Sequence, residues 1–171
     1  MHIGNRYGKT MKIIYPGECC ASAEDEFIAT LLGSCISVVL YDPERRVAGM
    51  NHFMLPGRIT SAELKSDDVR SGKYGVTAMK ELLQKMTALG AKKENLTAKI
   101  FGGGNVIDMT RPQGPVSEGN IRLARIMVEL EDIPILHEDI GGRFTRKIIL
   151  EVPTGKVFLK KTTKDEGFDS E

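Results

Sequence analysis

Among the side chains whose ordinary pKa suits them to act as nucleophile or base near neutral pH, the chain carries three thiols (Cys19, Cys20, Cys35) and three imidazoles (His2, His52, His137). Two of these fall on one predicted β-hairpin. Residues 36–41, ISVVLY, form a β-branched run stopped by Asp42-Pro43, and residues 47–55, VAGMNHFML, return and stop at Pro56-Gly57. If the turn is residues 42–45, Tyr41 faces Arg46 and Cys35 falls directly opposite His52, on the same face. Their β-carbons would then be about 4.5–5.5 Å apart. A register slip of one residue would offset the pair and put the two on opposite faces. At the direct distance an imidazole can take or share the thiol proton, and the resulting thiolate–imidazolium pair is a nucleophile at neutral pH. Cys35 also follows Leu32-Gly33-Ser34, where Gly33 lets the backbone turn sharply and offer N–H groups to an oxyanion.

The plainer reading is that Cys35 is small filler at a strand edge, since cysteine is among the most buried residue types, and that His52 is a hydrogen-bonded core histidine. The predicted pairing is what raises the two above that reading. Cys19 and Cys20 lie in the polar stretch ECCASAEDE with no histidine nearby and read as inert. His137 reads as structural, His2 as part of a frayed terminus, and Asp67-Asp68 and Glu24-Asp25-Glu26 as solvated charge without metal-loop spacing. Phe101-Gly102-Gly103-Gly104-Asn105 fails the dinucleotide pattern, because Ile107 stands where the third glycine belongs. A tight turn permitting close backbone packing is favoured there, with a role as a wall of the active site as a second option.

Composition narrows the setting. With 24 Lys plus Arg against 23 Asp plus Glu, the formal net charge is +1, which argues against nucleic acid or an anionic membrane as the main partner. No run approaches the roughly 20 apolar residues of a membrane span, and the opening MHIGNRYGKTMKII lacks the apolar core of a secretion signal. A cytoplasmic protein is expected. Three cysteines, two of them adjacent, make a poor disulfide framework, and with no CxxC pair and three scattered histidines no metal site is expected.

The elements that must hold the Cys–His pair read as one α+β domain over residues 1–171, with an ordered core at about 11–161 and both termini flexible. MKIIYP is a short strand, and residues 26–32 a second apolar segment. Residues 57–72 read as a long surface loop. A helix is predicted at about 74–89, with Val76, Met79, Leu82, Leu83, Met86 and Leu89 at helical spacing and Gly90 as its C-terminal cap. LTAKIF is a strand, and a second helix spans about 118–131 behind Ser117 as N-cap, with Ile121, Ala124, Met127, Val128 and Leu130 facing inward. ILHEDI is a strand, and RKIILEV and KVFLKK form a terminal hairpin around Pro153-Thr154-Gly155. The expected architecture is a β-rich core of packed, mostly antiparallel strands with two or three helices on one side.

The segments TLLGSCISVVLYDP, AGMNHFMLPG, KYGVTAMKELL, KIFGGGNV, SEGNI and DIGGRFTRKIILEVPTGKVFLK, collinear over roughly residues 27–160, resemble the CheD family of chemoreceptor glutamine deamidases. The resemblance implies a cysteine-hydrolase fold of layered sheets and helices, shared with some toxin deamidases. It implies Cys35 as nucleophile, His52 as its base and Thr30 as a third site residue; the neighbouring position holds Ala29, which lacks a hydroxyl. It implies deamidation of selected glutamines on the cytoplasmic helices of chemoreceptors, hydrolysis of glutamyl methyl esters there, and, for some members, binding to a CheC-type chemotaxis phosphatase. No metal or organic cofactor is implied. Two rivals differ in kind. A transglutaminase or cysteine peptidase would use the same dyad with another acceptor or bond. A non-catalytic regulatory partner of a CheC-type phosphatase would keep Cys35 as a structural residue.

Overall fold

The computed structural model describes residues 1–54, 70–106 and 114–163. In chain order the strands are β1 (His2–Arg6), β2 (Lys9–Ile13), β3 (Cys19–Ser22), β4 (Phe27–Leu32), β5 (Ile36–Asp42), β6 (Val47–Asn51), β7 (Thr97–Gly102), β8 (Ile135–Ile140), β9 (Thr145–Glu151) and β10 (Lys156–Thr162). Helix α1 (Arg70–Ala88) precedes β7 and α2 (Gly114–Leu130) follows it. The strands form two five-stranded sheets, ordered β1-β2-β4-β9-β10 and β3-β6-β5-β7-β8. Among the described strands only the β2–β4 and β7–β8 pairs are parallel. The mostly antiparallel α+β core expected from the sequence is borne out.

Three layers result. Both helices lie on one face of the second sheet, α1 on β3 and β6 and α2 on β5 and β7. There Ile36, Val38, Leu40, Val47 and Phe53 pack against Met79, Leu82, Met86, Ala124, Met127 and Val128. The opposite face carries Val39, Ala48, Met50 and Phe101 onto Ile28, Leu32, Ile148 and Leu150 of the first sheet. Strand β5 is therefore buried on both faces, which is why it reads as a near-continuous apolar run rather than an alternating one.

Several expectations need correction. The first ten residues, expected to be loosely held, form the β1–β2 hairpin. Its two turn residues, Tyr7 and Gly8, have φ of 52° and 76°, the left-handed pair that a two-residue hairpin turn requires. The polar-looking ECCASAEDE contains the edge strand β3, paired with β6. Helix α1 begins at Arg70, so the last residues of the predicted loop are helical; the remainder of that loop, with Asp67-Asp68, lies outside the described residues. Its C-terminus closes as expected. Gly90, at φ 92°, donates to Thr87 O and Ala91 to Met86 O, the Schellman pattern. Helix α2 starts at Gly114, which puts Ser117 inside it rather than at its cap, and Leu130 is exposed at 76%.

Candidate active site

The chain passes from the first sheet to the second through Gly33-Ser34-Cys35, between β4 and β5. The carbonyls of this crossing are all tied down from one side. Gly33 O accepts from Gly104 N (2.9 Å), Cys35 O from Gly103 N (2.7 Å), and Ser34 O from Asn120 Nδ2 of α2 (3.0 Å). None of these bonds uses the N–H groups of Ser34 or Cys35. The approach is close enough to require glycine. A β-carbon on Gly102 would lie 2.2 Å from Cys35 O, and one on Gly104 would lie 2.4 Å from Phe144 O. The glycine triplet is thus a packing device. Behind it the buried Arg146 guanidinium binds Asp139 and Gly141 O, and Asn105 N donates to Gly142 O.

The β5–β6 register differs from the predicted one. Asp42 stays in the strand, opposite Val47, and the turn is residues 43–46. The cause is local. The Asp42 carboxylate accepts the N–H groups of Glu44 and Arg45, an Asx-type cap, and Arg46 closes the turn at φ 55°. Tyr41 therefore faces Ala48, and the Ile36–Phe53 bridge keeps the same register. Extended by one residue each way, that register sets Ser37 opposite His52 and Cys35 opposite Met54. The Cys35 thiol accordingly rests 3.6 Å from Met54 Sδ. A shift of two residues preserves faces, so Cys35 and His52 still share the face toward the first sheet, but as diagonal neighbours, roughly 7–8 Å apart at the α-carbons.

Between the Val39–Met50 pair and the Ile36–Phe53 bridge the ladder opens. Val38 N donates to the Asn51 side-chain oxygen (2.8 Å), while His52 N turns away to Glu18 O (2.9 Å) and His52 O accepts from Gly17 N (2.7 Å). The imidazole is 2% exposed. Its Nδ1 lies 2.7 Å from Thr30 Oγ1 of β4, and that hydroxyl is also 2.8 Å from Ile14 O. A backbone carbonyl can only accept, so the single hydroxyl proton goes to Ile14 O, and Thr30 Oγ1 must accept from His52 Nδ1–H. That fixes the tautomer. The proton sits on Nδ1, and Nε2, buried with no hydrogen-bond partner, presents a free lone pair.

Burial sets the electrostatics. It pushes the Cys35 thiol above its ordinary pKa of 9.0, with its own backbone N–H pulling weakly the other way. It pulls His52 down to about 4 against the opposing field of the Glu18 carboxylate. Burial thus disfavours the charged form of both side chains, against the thiolate–imidazolium pair expected from the sequence. Cys19, pushed up to about 12 by burial and then by Glu81, and Cys20, raised chiefly by burial, are protonated thiols.

Met54 and Phe53 also line a cleft of about 560 Å³ together with Pro16, Gly17, Thr77, Ala78 and Glu81. His137 lies on β8 with its ring against Phe101, centroids 5.8 Å apart. Of the acidic run, Glu26 is buried and paired with Lys12 rather than solvated. Among the described residues no cluster of three His, Cys, Asp or Glu could hold a metal ion, and no helix is long and apolar enough to cross a membrane. The sequence reading did not pick out Asn120, which anchors Ser34, or Asn51, which opens the ladder. Neither carries a local signal, because each acts on a strand distant in sequence.

The family profile of CheD, chemotactic sensory transduction, matches residues 54–161, beginning just past His52. Whole-chain relatives extend across the dyad. A protein of Trichlorobacter lovleyi, named probable chemoreceptor glutamine deamidase CheD, is 41% identical over 85% of this chain and 87% of its own length. One from Hahella chejuensis with the same name is 40% identical over 90% of this chain and 71% of its own length. A third, from Chromobacterium violaceum, probable chemoreceptor glutamine deamidase CheD 2, is 43% identical over 88% and 73%. Among solved structures, the hypothetical protein YfiH of Bacillus licheniformis aligns at a TM-score of 0.43 and 12% identity, over 71% of this chain and 49% of that one. By the profile match and by these relatives, the chain belongs to the CheD family.

Proposed function

We propose that this protein is a cytoplasmic chemoreceptor glutamine deamidase, converting side-chain amides of receptor glutamines to carboxylates through a thioester on Cys35. The observation that carries the reading is the fixed tautomer of His52. Thr30 and Ile14 O hold its proton on Nδ1, so Nε2 is an acceptor on the face it shares with Cys35. A neutral imidazole is the correct form of a general base, and a neutral thiol supplies the proton it takes.

The steps follow. As Cys35 Sγ attacks the glutamine Cδ, its proton passes to His52 Nε2, and the carbonyl oxygen becomes an oxyanion. The N–H groups of Ser34 and Cys35, not engaged by the bonds that anchor this loop, are donors available to that oxygen. His52 gives the proton to the amide nitrogen, the C–N bond breaks and ammonia leaves. Water then attacks the thioester with His52 as base; the C–S bond breaks, the thiol recovers its proton and glutamate is released. A glutamyl methyl ester fits the same sequence with methanol as the leaving group. Binding to a CheC-type phosphatase would act on this site from outside.

The test is ammonia release from a recombinant cytoplasmic fragment of a chemoreceptor, with peptide mass mapping. The unmodified protein should release ammonia and add about one dalton to specific glutamines, and Cys35→Ala should do neither while melting normally. Equal ammonia release by Cys35→Ala would remove the nucleophile assignment. Cross-linked or cleaved fragments would mean that an amine or a backbone amide is the true partner of the thioester. A purely regulatory partner would leave the fragment unaltered.

A further inference from the structure

Two buried polar atoms without a hydrogen-bond partner among the described residues, Ser37 Oγ and His52 Nε2, lie on residues that the β5–β6 register, carried across its opening from Val39–Met50 to Ile36–Phe53, sets opposite one another. Their faces agree. Val39 on β5 and Cys35 just before it, and Ala48 and Met50 on β6, belong to or pack on the cluster against the first sheet. Alternation therefore puts Ser37 and His52 on that same side. Ser37 is 0% exposed. A buried hydroxyl without a partner is unfavourable where alanine would fill nearly the same space, so its presence beside an equally unpaired base points to a shared ligand. A small polar site of this kind takes water, which needs two or more polar partners.

We propose that Ser37 is a further catalytic residue, holding with His52 the water that hydrolyses the thioester; this rests on the thioester reading above. Before acylation, Nε2 takes the thiol proton. Once Cys35 is acylated the sulfur has no proton to offer, and Nε2 is free for water. That water donates one O–H to Nε2 and the other to Ser37 Oγ, which leaves a lone pair for the thioester carbon. The new C–O bond forms as the water proton moves to Nε2, the C–S bond breaks, and His52 returns the proton to the thiolate. Ser37 therefore serves the second half of the reaction and not the first.

The experiment compares the full-length protein with Ser37→Ala on a recombinant chemoreceptor cytoplasmic fragment, following ammonia from the first turnover onward and the acyl-enzyme by intact mass. Ser37→Ala should release about one ammonia per enzyme at the unmodified rate, then turn over tenfold or more slowly while the acyl-enzyme accumulates. Hydroxylamine, a nucleophile strong enough to dispense with base-activated water, should restore turnover with hydroxamate as product. The retained first turnover shows that the variant is folded. If Ser37→Ala turns over normally without acyl-enzyme build-up, or loses the first turnover along with the rest, Ser37 does not hold the water. If the unmodified protein releases no ammonia at all, the deamidase reading itself has failed.

Discussion

The two ends of the β5–β6 hairpin are built from the same strands and each holds fully buried polar side chains, yet they treat polar groups in opposite ways. At the turn end, the Asp42 carboxylate is 0% exposed and fully engaged, accepting backbone N–H groups from Glu44, Arg45 and Lys92. Burial alone would raise its pKa, but those three donors and the Asn95 side chain outweigh burial and hold it below its ordinary value. At the other end the ladder opens, Ser37 Oγ and His52 Nε2 go unpaired, and burial drives Cys35 and His52 to their neutral forms. One end uses its buried polar groups to fix the fold. The other leaves lone pairs free for a ligand, in line with the tendency of unsatisfied buried groups to mark functional sites.

Variants at the two ends should therefore separate activity from stability. The largest effect is expected for His52→Ala, which should lower the rate of ammonia release by about 10³-fold or more, at a stability cost confined to the Thr30 hydrogen bond and the space the imidazole leaves. A thermal melt alongside the assay checks both halves, and substantial activity in this variant would erase the distinction between the ends. Next is Asp42→Ala, which strands three part-buried backbone N–H groups and should cost about 2–3 kcal/mol, a drop of roughly 5–10 °C in Tm, with unchanged kcat in the folded protein. Because its folded pKa is depressed, the contribution of Asp42 is present above the unfolded pKa, near 3.8, and is lost as pH falls through the lower folded value. Acid denaturation of Asp42→Asn should therefore lack that portion of the transition.

A smaller change is expected for Thr30→Val, which keeps the shape but removes the oxygen that fixes the tautomer. It should lower kcat on the order of 10²-fold with KM nearly unchanged. A KM effect instead would make Thr30 a substrate contact. The last signal is in stability against pH. His52 is held neutral in the fold, so the unfolded chain takes up its proton first. Stability should fall as pH is lowered from about 6.5 toward about 4, and His52→Gln should flatten that slope in denaturant titrations.

How much of this could be read from the chain depends on how local each cause is. Strand β5 announced itself because burial on both faces leaves a near-continuous apolar run before Tyr41 and Asp42; Ser37 within it was not singled out. Strand β3 was hidden, being four residues long, at a sheet edge and set among acids. The register was misread by two residues because the pattern of apolar positions does not reveal that Asp42 would cap the turn from within the strand. The slip was even, so the shared face of Cys35 and His52 survived while the direct neighbour of His52 became Ser37. Thr30 sits on the other sheet, and no spacing within the hairpin could bring it to His52; only family resemblance pointed to it. The burial that disfavours charge on Cys35 and His52 emerges only once both sheets are assembled.

The most direct test of the open end is the imidazole itself, observed by 15N NMR on histidine-labelled protein, with His52→Gln to assign the resonance, between pH 3 and 8. His52 should be neutral at pH 7, protonated on Nδ1 and bare on Nε2, and should take up its second proton only near pH 4. An imidazolium at pH 7, paired with a thiolate, or a proton found on Nε2 instead, would contradict it.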